Sequence, residues 1–64
     1  MMENHVYNIM RQIVEEHTSL WRLKNDYTAD AQGYPEEAGY WEKLSQDKEQ
    51  HITDMTNMLR EYLG

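Results

Sequence analysis

The sequence predicts an all-α protein: an antiparallel two-helix hairpin, with helices over about 3–31 and 35–62, that pairs with a second copy into a four-helix bundle. Three observations predict it. Apolar residues recur at spacings of three, four and seven along two long segments, the mark of one buried helical face. Between those segments lies one short stretch, AQGYPEE, carrying a glycine and the only proline. The chain has 64 residues, and a domain that short buries only about 60% of the surface its unfolded form exposes. It needs help beyond its own core, and with no cysteine that help is a metal or a second subunit.

The first stripe is Val6, Ile9, Met10, Ile13, Leu20, Leu23 and Tyr27, with His17 at a gap between Ile13 and Leu20. From Glu3 to Ala31 neither proline nor glycine interrupts it. Gly33 then supplies a residue suited to the left-handed conformation that commonly ends a helix. Pro35 fits a first helical turn, and Glu36 and Glu37 put negative charge where the helix dipole favours it. The second stripe is Trp41, Leu44, His51, Ile52, Met55, Leu59 and Tyr62, with Lys48 and Met58 close to the same line. Gly39 weakens its first turns by about 1 kcal/mol relative to alanine, which suggests a close backbone approach or a soft start. Trp21, Tyr27, Tyr34, Tyr40 and Trp41 mass toward the turn, so that end is expected to be the best packed. Five methionines and no phenylalanine point to a core that fills irregular gaps with flexible side chains.

Charge excludes several partners. A formal net charge of −6 is the wrong sign for a phosphate backbone or an anionic bilayer, so neither nucleic acid nor membrane is expected. No apolar run approaches the roughly 18 residues of a membrane span, and MMENHVYN lacks the pattern of a secretory signal. A cytoplasmic protein is the expectation. The three glycines form no phosphate loop, and Ser19 and Ser45 have no adjacent base, so no catalytic residue is predicted.

In a hairpin turning near Gly33, residue i faces roughly residue 66 minus i. Glu16 and His17 then lie opposite Glu49 and Gln50, with Asp47, Lys48 and His51 within a turn. Imidazole and carboxylate oxygens suit iron or another divalent metal, and bundle interiors are a usual place to hold one. The candidate ligands are Glu16, His51, Asp47 and His17; Lys48 and Glu49 are the candidate buried polar or interface residues. The plainer alternative makes His51 a hydrogen-bonded core or interface histidine, since buried polar groups usually find a protein partner. Glu15, Glu16 and His17 are consecutive and cannot all face inward; Glu16 continues the stripe through Ile13, Leu20 and Leu23.

The stretches VEEHTSLWRLKNDY and WEKLSQDKEQHI resemble the two metal-bearing helices of the ferritin-like superfamily, above all its short rubrerythrin-like and encapsulated-ferritin-like members. The resemblance spans roughly Val6 to Leu63. It implies one hairpin per chain and two chains per bundle, with Glu16 as the first-helix glutamate and His51 as the histidine of Glu-x-x-His. The pattern departs at Lys48, three residues before His51, where the family has its bridging glutamate. An ammonium has no lone pair to donate and repels a dication. Two functions follow as expectations: a ferritin-like metal-binding oligomer, or a metal-free structural or interaction module whose polar level sets dimer register through Lys48 and Glu16. A hairpin that docks on a larger protein is a third.

Overall fold

The structure is a computed structural model and describes residues 3–63. Helix α1 covers Asn4–Arg22 and starts after Glu3, which is extended (φ −70, ψ 147). The chain continues without a break through a π-helical turn at Leu23–Tyr27 into the short helix α2, Thr28–Asp30. Helix α3, Pro35–Leu63, makes the other arm. All described secondary structure is helical, as the apolar spacing predicts.

The turn follows the chemistry of AQGYPEE. Gly33 takes φ +88, a conformation costly for residues with a Cβ. Around it the Tyr34 amide donates to the Ala31 carbonyl at 2.9 Å, and the Ala38 amide to the Tyr34 carbonyl at 3.0 Å. Pro35 opens α3, where a missing N–H costs nothing, and Glu36 and Glu37 occupy its first turn. Gly39 shows no close approach: a Cβ built there meets nothing within 4 Å. Among the described residues no packing contact calls for a glycine there.

The two arms lie side by side and run in opposite directions. At one end His5 packs edge-on against Tyr62, ring centroids 4.9 Å apart, and near the turn Tyr27 does the same with Trp41 at 5.3 Å. The Cα extents of 49 × 17 × 13 Å describe a rod two helices wide and one thick.

The π turn is the element that the apolar spacing does not predict. Thr28 supports it by donating both its amide and its Oγ1 to the Leu23 carbonyl, the hydroxyl at 2.7 Å, while Asn25 Nδ2 donates to the Trp21 carbonyl at 2.8 Å. A π turn takes up one extra residue. The eight steps from Leu23 to Ala31 therefore behave as seven, close to two full turns, and both residues are buried, 1% and 3% exposed.

The core differs from the predicted stripes in two ways. Among the described residues only Val6, Leu23, Ala31 and Ser45 are buried, and neither Ala31 nor Ser45 belongs to a predicted stripe. Ile9, Met10, Ile13, Leu20, Trp41, Leu44, Ile52, Met55 and Leu59 are half-buried, whereas Tyr27, His51 and Tyr62 are exposed. One neighbouring helix covers only part of a stripe. Burial does concentrate toward the turn, at Leu23, Ala31 and Ser45, although Trp21, Tyr34 and Tyr40 there lie open.

Candidate functional site

Midway along the rod, Glu16 of α1 meets two residues of α3. Lys48 and His51 are three apart on α3 and so project from one face on successive turns. Lys48 Nζ donates to Glu16 Oε1 at 2.8 Å, and His51 Nδ1 lies 2.6 Å from Glu16 Oε2. An ionised carboxylate only accepts, so Nδ1 carries the hydrogen of that second bond. Both oxygens of Glu16 are thereby engaged across the gap between the arms.

The three groups are unequally placed. The side chains of Glu16 and Lys48 are 12% and 17% exposed, whereas that of His51 is 55% exposed. Lys48 brings its charge inward along a buried aliphatic stem; His51 closes the level from the solvent side. The Lys48 hydrogen bond holds the Glu16 carboxyl below its ordinary value of 4.5, with the His51 hydrogen bond and both charges adding to the effect while partial burial opposes it.

A second ion pair crosses the arms diagonally: Lys24 Nζ, eight residues nearer the turn than Glu16, meets Oε1 of Glu49, which stands between Lys48 and His51, at 2.7 Å. Both side chains are about half exposed within one chain, so of the two candidate polar residues Lys48 is the buried one and Glu49 lies toward solvent. Lys24 was not legible as its partner, because the facing rule sets position 24 against position 42. The long lysine stem reaches further.

Of the four candidate ligands, the structure brings together Glu16 and His51. His17 is exposed on the flank of α1, and Asp47 is exposed on α3 beside Tyr40, Lys43 and Leu44. Among the described residues no three His, Asp or Glu side chains are gathered as a metal ion needs. The donor set at the polar level does not fit a divalent ion, because the place where a second carboxylate would stand holds an ammonium 2.8 Å from Glu16. Among the described residues every buried side-chain nitrogen and oxygen has a hydrogen-bond partner, so no buried polar atom of Glu16 or Lys48 is left over for a further ligand.

No protein-family model matches the chain, and no curated protein or solved structure is significantly similar to it. Among the described residues no helix is long and apolar enough to cross a membrane.

Proposed function

We propose that this chain is a metal-free structural module: an antiparallel two-helix hairpin that pairs with a second copy into a four-helix bundle, its arms held in register by Glu16, Lys48 and His51. The observation that carries this is the half-buried Lys48 to Glu16 pair at 2.8 Å, which fills with protein the position a ferritin-like centre gives to metal and a bridging carboxylate. A buried ion pair is weak evidence for stability, since desolvation offsets much of its attraction. Its best-attested use is specificity: Lys48 and His51 stand one turn apart, so only one alignment gives both oxygens of Glu16 a donor, and sliding an arm by a turn leaves at most one of the two beside it. The ferritin-like likeness of the two segments then describes a scaffold, without the iron or other divalent ion of that family.

Sedimentation of the purified chain, with iron and zinc titrations of the same sample, tests the proposal. A dimer with no saturable metal binding at micromolar concentrations is expected. Saturable binding abolished by His51→Ala would overturn the metal-free assignment, and a monomer at all concentrations would overturn self-assembly.

A further inference from the structure

The self-assembly reading does not say which face is covered, and the surface supplies an answer. The chain exposes 5164 Å², about 800 Å² more than the roughly 4,400 Å² of a compact monomer of 7.8 kDa. A standard protein interface buries about 800 Å² per partner. The excess, which comes with the elongated 49 × 17 × 13 Å shape, is the size of one such interface.

Two exposed apolar stripes compete for it. On α3 the stripe is Tyr40, Met58 and Tyr62, but it runs through Asp47 and His51, and its rings are already engaged: Tyr62 by His5 and Tyr40 by Trp41. On α1 the stripe is Tyr7, Val14 and Trp21, which are 52%, 60% and 61% exposed. These residues are seven apart, so the line drifts only about 20° per repeat. Met10 and His17 flank the line on one side and Arg11 and Thr18 on the other, so the line carries no Asp or Glu of the kind that Asp47 puts on the α3 stripe. Among the described residues neither Tyr7 nor Trp21 packs against another aromatic ring. Arg11, beside the stripe, is paired along its own helix with Glu15 at 3.4 Å and falls at the rim.

The stripe is also self-complementary. Val14 lies midway between Tyr7 and Trp21, so a two-fold axis at Val14 that runs one α1 against another in reverse sets each Tyr7 opposite the partner's Trp21. That is the isologous contact of a two-fold dimer, anchored on the residue types that dominate interface energetics. We propose that a second copy of this chain docks on the Tyr7–Val14–Trp21 face of α1, with the two α1 helices antiparallel and centred near Val14. This rests on the self-assembly reading.

The absence of cysteine gives a clean test, because one introduced thiol reports one position. Val14→Cys treated with a short bismaleimide is expected to run as a covalent dimer, and Met58→Cys, on the competing stripe, as a monomer. Trp21→Glu should raise the dimer dissociation constant by roughly 30-fold or more with helical circular dichroism unchanged, since Trp21 is exposed within one chain. A dimer that survives Trp21→Glu and crosslinks through Met58→Cys but not Val14→Cys would overturn this face and leave self-assembly standing. A natural chain that sediments only as a monomer would overturn both.

Discussion

At the turn end, Leu23, Ala31 and Ser45 are 1%, 3% and 7% exposed and the arms meet through small and aliphatic side chains; halfway along, the same gap is held by Glu16 and Lys48, whose side chains are 12% and 17% exposed. The apolar contact is forgiving in register and gains free energy from removing surface from water. The charged contact gains little net energy but engages both Glu16 oxygens in only one alignment. The difference separates two jobs. Burial near the turn holds the arms together, and the polar level fixes how they are aligned.

Breaking the apolar end should have the largest effect. Leu23→Ala removes the most buried side chain among the described residues, and such a truncation costs about 2–4 kcal/mol, comparable with the whole stability of a chain this small. A urea unfolding curve should show most of the folded baseline lost. A midpoint unchanged from the natural chain would mean that the turn end does not dominate stability.

Removing the carboxylate comes next. Glu16→Ala strands Lys48 at a half-buried site, at a cost of about 1–3 kcal/mol, and should lower the thermal midpoint visibly. Acidification probes the same group without mutation. Because Glu16 titrates below its ordinary value of 4.5 in the folded chain, its contribution is complete above that value and is lost as pH falls through the depressed one. Thermal melts between pH 7 and pH 3 should therefore lose stability at the acid end, and Glu16→Gln should lose less. Equal acid sensitivity in the two proteins would assign the effect to other carboxylates.

Removing the lysine sharpens the comparison. Lys48→Met keeps the stem and deletes the charge, so a change within about 1 kcal/mol of either sign is expected, together with looser register. Paired thiols placed across the arms one helical turn out of alignment should crosslink faster in this variant. A loss as large as that of Leu23→Ala would mean that the pair itself holds the arms. The smallest effect belongs to Lys24→Ala: the Lys24–Glu49 pair is half exposed, and such pairs contribute about 0.5 kcal/mol or less, which high salt should erase.

The apolar spacing made both arms legible, and AQGYPEE placed the turn to within a residue or two of the observed Pro35 start. Glu16 and His51 were legible as neighbours because a facing rule needs only the position of the turn. Lys48 was legible as the residue at odds with a metal motif. The π turn was not, since Leu23 to Tyr27 contains no proline or glycine and its support is a side-chain hydrogen bond five residues back. Ala31 and Ser45 are not legible as core because small residues carry almost no signal in an apolar stripe, although closely packed arms favour them.

The sequence by itself determined the helical class, the place of the reversal and the two lines of apolar residues, because these depend on local spacing and on the backbone preferences of Gly33 and Pro35. Only the tertiary structure decided which parts of those lines are covered, that Glu16 uses both oxygens on α3, and that Tyr7, Val14 and Trp21 stay open. Covering a face requires a neighbour of particular width and register. A pattern of residue types specifies that a face is apolar; the packing of one arm on the other leaves part of it for something else to cover.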